Sequence, residues 1–256
     1  MTKRILLAGE TFVLTHRVTV GYDLSGSGSY ANGATRFLAA LREGGFTVDQ
    51  LPSERCESEF PASFEALDAY DAVVLSDIGA LSLLYTADTR AARPGVNRLV
   101  VLHDWVERGG GLMMAGGYLS FQGMNATARY HGTPLEECLP VECLPHGDGL
   151  EAPEGMTPRI LAQHPLTAGL PAQLPPILGL NRVLVRPSAE STVLAGVSYR
   201  GRQHPLLVTR TFGKGRTLAW TTDIGPHWMS QEFLASPVYP RLMQAMVGWV
   251  AGELQV

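Results

Sequence analysis

Residues 109–123 constrain the fold more than any other part of the chain, because glycines bracket a short apolar run. The segment reads Gly-Gly-Gly-Leu-Met-Met-Ala-Gly-Gly-Tyr-Leu-Ser-Phe-Gln-Gly. Its first glycines are typical of a helix end, and Leu112–Ala115 has the length and apolar character of a buried strand. Ligands of open α/β sheets bind where such strands end, and a glycine-rich exit can hold a catalytic nucleophile on a sharp turn. The segment therefore indicates a strand that leads directly into a candidate site.

Strand and helix patterns alternate along the first half of the chain. Apolar runs predict strands over Arg4–Ala8, Phe46–Leu51, Asp71–Ser76 and Leu112–Ala115. Helical spacing of apolar residues predicts helices over Ala31–Glu43 and Phe64–Ala69, and from Pro94 to about Arg108. This alternation predicts a parallel sheet with helices on both faces, and the right-handed crossover rule makes it doubly wound. Residues from Glu10 to Tyr30 are predicted to form a long polar loop.

The second half of the chain is rich in strand patterns and ends in an amphipathic helix that begins near Pro237. Strands are predicted over Arg182–Arg186, Thr192–Val197, Leu206–Phe212 and Arg216–Thr222, with a hairpin turn at Gly213-Lys214-Gly215. We interpret this half as an antiparallel extension of the same, mostly parallel α/β sheet. Residues 1–256 then form one domain, with a parallel α/β core over 1–123 and a β-rich extension and terminal helix over 124–256.

Composition and charge exclude several classes of protein. The 256 residues are 45% hydrophobic and 17% charged, which is too apolar for a disordered chain. The net charge of −4 gives no general attraction to nucleic acid or to an anionic membrane. No apolar run reaches the roughly 20 residues of a membrane helix, and the apolar stretch near the N-terminus is too short for a secretion signal. Three cysteines without a CxxC motif favour reduced thiols in the cytoplasm.

Four predicted strand exits carry polar residues or glycines. They supply these candidates: Glu10 after the first strand; Asp77 after the third; Gly116, Gly117, Tyr118 and Ser120 after the fourth; and Asp223, His227 and Trp228 after the late hairpin. The carboxyl ends of parallel strands share one edge of a sheet, so the first three exits are expected to lie together. The fourth exit joins them only if the strand Arg216–Thr222 runs parallel to the others.

The candidate residues suit acid–base chemistry and the binding of a polar ligand. Asp223 and His227 can form an oriented acid–base pair, and Trp228 can form an aromatic wall. Glu10 and Asp77 can act as general bases, or they can bind a polyol or a cation. For both acids the alternative is helix capping or loop hydrogen bonding. For Asp223 with His227 the alternative is an Asx turn beside a packing histidine.

The glycine-rich exit has no nucleophile at its tip. Its sequence is not Gly-x-Ser-x-Gly, and Ser120 comes two residues late. The amides of Gly117 and Tyr118 can instead point at an anionic or carbonyl ligand, and the alternative for the glycines is close backbone packing. The other histidines lack HxxxH or HExxH spacing, so neither a metal site nor a cofactor is predicted.

Three segments resemble a known family: the glycine-rich run 109–121, Asp-Ile-Gly-Pro-His-Trp at 223–228, and His-Pro-Leu-Thr-Ala-Gly-Leu at 164–170. The chain resembles the glutamine amidotransferase-like cytoplasmic proteins of the class I glutamine amidotransferase-like superfamily, near the trehalose-utilisation-type proteins. The resemblance spans nearly the whole chain, from Leu6 to the terminal helix. It implies a flavodoxin-like sandwich, a pocket at the strand ends and a homo-oligomer.

The sequence departs from this family at the position that hydrolyses glutamine. Class I amidotransferases place a cysteine at the elbow, in a Gly-x-Cys-x-Gly setting, and a later histidine and glutamate complete a triad. Here Gly117 or Tyr118 occupies the elbow position, while His227 stands near the place of the triad histidine. Neither elbow residue can form a thioester, so glutamine hydrolysis by the usual route is not expected.

These observations lead to one expected function and two alternatives. The chain is expected to bind a small polar metabolite of carbohydrate-like character at the strand ends, and transformation of that ligand is left open. One alternative is a non-enzymatic ligand sensor or assembly subunit. The other is a hydrolase that uses Ser120, or an activated water, together with His227.

Overall fold

The computed structural model describes residues 2–188 and 190–254. The strands are β1 (Arg4–Gly9), β2 (Thr11–Val20), β3 (Asp23–Asn32), β4 (Thr47–Leu51), β5 (Ala72–Ser76), β6 (Gly111–Ala115), β7 (Val141–Cys143), β8 (Gly149–Met156), β9 (Arg159–Ile160), β10 (Ile177–Asn181), β11 (Val183–Val185), β12 (Ser191–Tyr199), β13 (Arg202–Phe212) and β14 (Gly215–Trp220). The helices are α1 (Thr35–Glu43), α2 (Cys56–Glu59), α3 (Phe64–Leu67), α4 (Ala80–Leu84), α5 (Ala87–Arg90), α6 (Arg98–Glu107), α7 (Pro134–Cys138), α8 (Gln231–Ala235) and α9 (Val238–Val250).

In the described part of the chain, a central sheet of eight strands has the order β4-β1-β5-β6-β14-β13-β12-β9. The first five strands in this order are parallel to one another. β13, β12 and β9 continue the sheet with antiparallel pairing. Helices cover both faces of the sheet. The fold is therefore the expected flavodoxin-like α/β sandwich, with a mostly parallel sheet and an antiparallel extension.

The direction of β14 decides where the last of the four predicted exits lies. β14 pairs with β13 as a hairpin and with β6 in parallel, so that Arg216 faces Gly111 and Trp220 faces Ala115. The segment that follows β14 therefore leaves the sheet at the same edge as the segments that follow β1, β5 and β6. The sequence predicted that this segment joins the other exits only if its strand is parallel to theirs, and β14 is parallel to β6.

The two faces of the sheet belong to two apolar cores. Val74 and Met113 point to the face covered by α1, α8 and α9, while Val73 and Met114 point to the face covered by α4, α6 and α7. Because both faces of β5 and β6 are covered, their sequences are continuous apolar runs rather than alternating patterns. Within residues 2–188 and 190–254, no helix is long and apolar enough to cross a membrane.

The prediction of a polar loop over Glu10–Tyr30 is wrong. Residues 11–32, hereafter the arm, form an antiparallel ribbon of β2 and β3 that turns at Gly21-Tyr22. The β-branched residues of β2 are typical of a strand, but β3 contains Ser25-Gly26-Ser27-Gly28-Ser29, a composition typical of loops. Backbone pairing with β2 keeps β3 extended in spite of its weak strand propensity, and propensity alone could not reveal this.

Two helices begin later than the sequence predicts. α1 begins at Thr35, because the preceding residues belong to β3 and to the turn that follows it. α6 begins at Arg98 rather than at Pro94, because Asn97 caps it: the Asn97 side chain accepts a hydrogen bond from Leu99 N–H at 3.0 Å. In both cases a tertiary or capping interaction fixes the boundary more sharply than apolar spacing does.

The second half of the chain is only partly an extension of the central sheet. β8 pairs with β10, and β7 pairs with β11, in two separate two-stranded sheets. The predicted strand Arg182–Arg186 corresponds to β11 and pairs with β7, so its assignment to the central sheet is wrong. A three-residue strand carries no alternating pattern long enough to specify its partner. β8 runs from Gly149 and contributes to the site described below.

Gly9 provides a test of the close packing at the end of β1. Its φ is +106°, and a Cβ atom at this position would overlap the carbonyl oxygen of Ser76. We expect Gly9→Ala to destabilise the fold by about 2–5 kcal/mol, from the positive φ and from overpacking. Gly45→Ala is the control, because Gly45 has a φ of +85° but no described atom lies within 4 Å of its Cβ position. The control should cost about 1–2 kcal/mol in urea unfolding. Equal losses would contradict the crowding at Gly9.

Candidate active site

The four strand exits meet at one edge of the sheet. Glu10 follows β1, Asp77 follows β5, Tyr118 comes after β6, and the segment 223–228 comes after β14. The rings of Tyr118 and His227 are 4.5 Å apart, and the carboxyl groups of Glu10 and Asp223 are close enough for each to shift the pKa of the other. The structure thus places residues from all four exits in two layers. Carboxyl groups form the buried layer, and aromatic rings form an outer layer in which Tyr118 and His227 reach solvent while Trp228 is fully buried.

Three carboxyl groups form the buried layer. Glu10, Asp77 and Asp223 are 2%, 8% and 3% exposed. The Ser76 hydroxyl donates to Glu10 Oε2 at 2.6 Å, and Gly225 N–H donates to Asp223 Oδ1 at 3.0 Å. These donors replace part of the solvation that burial removes from the carboxyl groups. Ser76 is the last residue of β5, so the sheet itself positions the donor to Glu10.

The buried acids are close enough to alter one another's protonation. Burial raises the pKa of Glu10 well above its ordinary value, and the charges of Asp223 and Asp77 raise it further. Burial also raises the pKa of Asp223 to about 7, although the Gly225 N–H opposes the shift. The interaction between the two carboxyl groups raises the pKa of Glu10 and opposes the rise in the pKa of Asp223. Because both pKa values are raised, the pair binds protons at pH values where exposed carboxyl groups are ionised.

Asp77 is held in place by the backbone of the turn after β6. Its φ of +45° is uncommon for a residue with a side chain. Asp77 N–H donates to Ser120 Oγ at 3.0 Å, and Leu119 N–H donates to Asp77 Oδ1 at 2.5 Å. Burial raises the pKa of Asp77, while the Leu119 N–H and the neighbouring His227 lower it. Ser120 is itself buried, and its hydroxyl oxygen anchors the Asp77 backbone.

The side chain of Asn181 fixes the glycine turn after β6 through hydrogen bonds to its backbone. Its Oδ1 accepts from Gly117 N–H at 3.0 Å, and its Nδ2 donates to Gly117 O at 3.1 Å and to Asp148 Oδ1 at 2.8 Å. Gly117 has a φ of +149°, and Gly116 lies so close to Asn181 Oδ1 that a Cβ would be 2.7 Å away. The Gly117 amide is therefore engaged by Asn181, which leaves the Tyr118 amide as the expected backbone donor to a ligand.

The outer layer consists of three rings around one carboxylate. Glu151 Oε1 accepts hydrogen bonds from Tyr118 OH at 3.0 Å and from Trp228 Nε1 at 2.9 Å. His227 Nε2 lies 3.9 Å from the same oxygen. The Tyr118 ring packs edge-on against both His227 and Trp228, with centroids 4.5 Å and 5.7 Å apart. Glu151 therefore fixes the relative orientation of the rings.

His227 lies between the two layers. Its Nδ1 is 3.9 Å from Asp223 Oδ2, and its Nε2 is 3.9 Å from Glu151 Oε1. The ring stacks on Trp228 with a centroid distance of 5.6 Å and an interplanar angle of 26°. His227 has a φ of +123°, a strained conformation that surrounding structure must enforce. A small displacement of the side chain would bring either ring nitrogen into hydrogen-bonding distance of a carboxylate.

Sequence reasoning missed Glu151 and Asn181. Glu151 lies in β8 and Asn181 lies in β10, and the pairing of these two strands outside the central sheet was not predicted. Neither residue follows a strand of the parallel core, so the rule that groups strand exits could not find it. The only sequence signal was a buried-type asparagine at the end of an apolar run, Ile-Leu-Gly-Leu-Asn, which does not specify a contact with Gly117.

The three cysteines do not supply a nucleophile to this edge. Cys56, Cys138 and Cys143 are buried free thiols. Burial raises the pKa of Cys56 and of Cys138 to about 12, and it raises the pKa of Cys143 as well. Thiols with such pKa values stay protonated at neutral pH and are inert as nucleophiles.

Two of the three rings of the outer layer are open to solvent. Tyr118 is 37% exposed, and the side chain of His227 is 42% exposed, so a ligand can reach both rings. Trp228 is fully buried, so it supports Glu151 and the other two rings and does not form the aromatic wall against a ligand that the sequence predicted. A cavity of about 550 Å³ lies at the opposite edge of the sheet, where Lys3 and Arg216 contribute to its wall, and it shares no residue with the site. Among the described residues, no group of three or more histidines, cysteines or acids has the arrangement of a metal site.

The raised pKa of Asp223 predicts how stability depends on pH. The folded protein holds a proton on this carboxyl group up to about pH 7, whereas the unfolded chain releases it near the ordinary value of 3.8. Stability is therefore lost as pH rises between these values. Asp223→Asn removes the titrating group and keeps an acceptor for Gly225 N–H. We expect the free energy of unfolding of the variant, relative to wild type, to increase by about 2–4 kcal/mol from pH 4.5 to pH 7.5.

Urea unfolding at several pH values measures this difference. The control is Glu43→Gln, which removes an exposed carboxyl group at the end of α1 and should shift the whole profile uniformly. A difference between Asp223→Asn and wild type that stays constant with pH would show that Asp223 is ionised throughout the range.

Two solved structures are similar to the chain along nearly its whole length. The cytoplasmic proteins STM3548 and STM1381 of Salmonella typhimurium are 34% and 35% identical to it, each with a TM-score of 0.89. Both alignments cover 96% of this chain, and they cover 98% and 99% of the two relatives. A ThuA-like protein from Bacteroides uniformis shares the fold at 13% identity and a TM-score of 0.57, with 97% of this chain and 91% of that chain covered.

The family assignment rests on a match to a family model. Residues 4–252 match the model described as "Putative glutamine amidotransferase". A comparison with curated proteins gives no match. The match to the family model and the identity to the two Salmonella proteins both extend over the parallel core, the site and the terminal helix. The chain therefore belongs to the glutamine amidotransferase-like family.

Proposed function

We propose that the protein binds a small, polar, carbohydrate-like metabolite at the carboxyl edge of its sheet and transforms it by acid–base chemistry, without hydrolysing glutamine. The observation that carries the proposal is the pair of layers at this edge. Three rings surround the Glu151 carboxylate, and below them lie Glu10 and Asp223, whose pKa values are raised by burial. The outer layer is suited to binding a ligand, and the inner layer is suited to exchanging a proton with it.

The chemistry of the outer layer favours a neutral polyhydroxylated ligand. Aromatic rings pack against the apolar faces of a sugar ring, and carboxylates accept hydrogen bonds from hydroxyl groups. Both hydrogen bonds to Glu151 end on Oε1, so Oε2 is positioned to accept a ligand hydroxyl. The charged residues named in the site are acids and one histidine, so a phosphate or another anion would meet like charges. This balance supports a polyol or sugar over an anionic metabolite.

The inner layer supports proton transfer at neutral pH. A general acid or base works best when its pKa is near the operating pH, and the pKa of Asp223 is raised to about 7. His227 lies between Asp223 and the outer layer, with 3.9 Å between Nδ1 and Oδ2. We propose that its imidazole carries a proton between the carboxyl pair and a ligand bound against Tyr118 and Glu151.

The residue at the elbow argues against glutamine hydrolysis. Gly117 or Tyr118 stands at the position where the resemblance to class I amidotransferases implies a cysteine, and neither residue has a thiol. Burial and the hydrogen bond to Glu151 raise the pKa of the Tyr118 phenol to about 12, so it remains protonated. A protonated phenol that already donates to a carboxylate cannot form the acyl-enzyme that a thiolate forms.

Two alternatives have specific support. If the ligand is hydrolysed, water is the better nucleophile, because the buried Ser120 hydroxyl oxygen already accepts the Asp77 N–H. A ligand sensor or assembly subunit without catalytic activity is the other alternative, and the exposed arm favours it. For either function we propose a cytoplasmic location, which is supported by the names of the two Salmonella relatives and by three free thiols.

Glu151 provides the binding test. Neutral monosaccharides, disaccharides and linear polyols are screened by thermal shift, and affinities of the hits are then measured by calorimetry. We expect Glu151→Gln to weaken binding by about 10-fold or more, because a hydrogen bond to a charged group contributes about 1.5–3 kcal/mol. Glu154→Gln is the matched control, since Glu154 lies on the same strand but bonds to Tyr199 outside the site. Equal affinities for both variants would place the ligand elsewhere.

Asp223 provides the test of chemistry. If the protein transforms the ligand identified in the screen, Asp223→Asn should lower turnover by about 10²–10⁴-fold while affinity changes little. Ammonia release from glutamine is measured in parallel, and wild type should release none above the protein-free rate. Full turnover in Asp223→Asn would contradict the role of the carboxyl pair, and glutamine-dependent ammonia release would contradict the proposed loss of amidotransferase activity.

A further inference from the structure

The arm extends from the body of the protein as an isolated ribbon. All residues from 13 to 32 are exposed, and β2 and β3 pair only with each other within the described sheets. Its base is anchored: Ser53 N–H donates to Thr11 Oγ1 at 2.7 Å, and Asn32 Nδ2 donates to Gln50 Oε1 at 2.8 Å. Beyond this base, backbone pairing over ten residues of each strand keeps the arm extended.

An isolated ribbon of this kind is not expected to be stable when both of its faces are exposed to water. A two-stranded ribbon is marginally stable in water unless another element covers one of its faces. The arm also carries a concentration of exposed apolar side chains: Val13, Leu14, Val18, Val20, Tyr22, Leu24 and Tyr30, each at least 50% exposed. Leu14, Val18 and Val20 lie on one face of the ribbon, and Val13, Leu24 and Tyr30 lie on the other. Exposed apolar side chains grouped on one segment in this way mark an interaction site.

One face of the arm has complementary rows. Leu14, Val18 and Val20 lie on the same face of β2, because side chains alternate along a strand. The residues opposite them on β3 are Ser29, Ser25 and Asp23, and His16, opposite Ser27, lies between Leu14 and Val18 in the same row. A mainly apolar row of larger side chains therefore lies beside a row of mainly small, polar ones. A second copy of the same face, turned to meet it, would fill this shape.

We propose that the arm is a self-association device, in which the face described above packs against the same face of the arm of a second copy of this chain. A two-fold axis that runs along the ribbon, between its two strands, would place the mainly apolar row of each arm over the serine row of the other. This is an isologous contact, the commonest kind in homodimers.

The oligomeric state of the full chain tests the proposal. Light scattering coupled to size exclusion should give wild type a mass of twice the 27.6 kDa chain. Replacing residues 13–30 by Asn-Gly joins Phe12 to its cross-strand partner Ala31 and should give a monomer. The triple variant Leu14→Ser, Val18→Ser, Val20→Ser should weaken the dimer by at least about 100-fold, because burial of each apolar side chain contributes about 1.5–3 kcal/mol. The control pair Leu161→Ser and Leu184→Ser changes apolar residues of similar exposure outside the arm and should remain dimeric.

Crosslinking tests which face is used. Ser27→Cys places a thiol on the proposed contact face, and Gly28→Cys places one on the opposite face, where the nearest atom to its Cβ is Leu14 O at 3.5 Å. The natural thiols are buried and give little background. A short bismaleimide should link Ser27→Cys into dimers far more efficiently than Gly28→Cys. A monomeric wild type, a dimer that survives removal of the arm, or equal crosslinking at both positions would each overturn the proposal.

Discussion

The parallel pairing of β14 with β6 is the constraint on which the rest of the site depends. β14 inserts between β6 and β13 and aligns Trp220 with Ala115, so both strands end at the same edge. This register delivers His227 to the turn that carries Tyr118, where the two rings meet at 4.5 Å. If β14 paired with β6 in the antiparallel direction, the segment 223–228 would leave at the opposite edge, and neither layer of the site could form.

A second constraint on the site is that little positive charge lies beside its buried carboxyl groups. The described contacts of Glu10, Asp77 and Asp223 are backbone N–H groups, hydroxyl groups, His227 and one another, with no lysine or arginine. Burying unpaired carboxylates costs several kcal/mol per ion, and burial therefore favours the protonated forms of Glu10 and Asp223 and raises the pKa of both.

The extent to which the sequence predicts this arrangement follows from the physics of each part. Apolar runs and helical spacing specify the parallel core, because each strand there is buried on both faces and each exit follows directly. The order of the strands then predicts that Glu10, Asp77 and Tyr118 share an edge, whereas His227 joins them because β14 runs parallel to β6. Glu151 and Asn181 are not predictable in this way, because β8 and β10 are positioned by pairing with each other. The serines and glycines of β3 likewise do not predict a strand, because pairing with β2 is what holds β3 extended.

The arm and the carboxyl pair are connected through Glu10. Glu10 directly precedes the arm, and Gly33 directly follows it, with Gly33 N–H donating to Glu10 O at 3.0 Å. The packing at this junction is so close that a Cβ at residue 33 would lie 2.5 Å from Glu10 Oε1. A contact that fixes the arm therefore also fixes the backbone on both sides of Glu10. The self-association proposed for the arm would in this way act on the same side chain that interacts with Asp223.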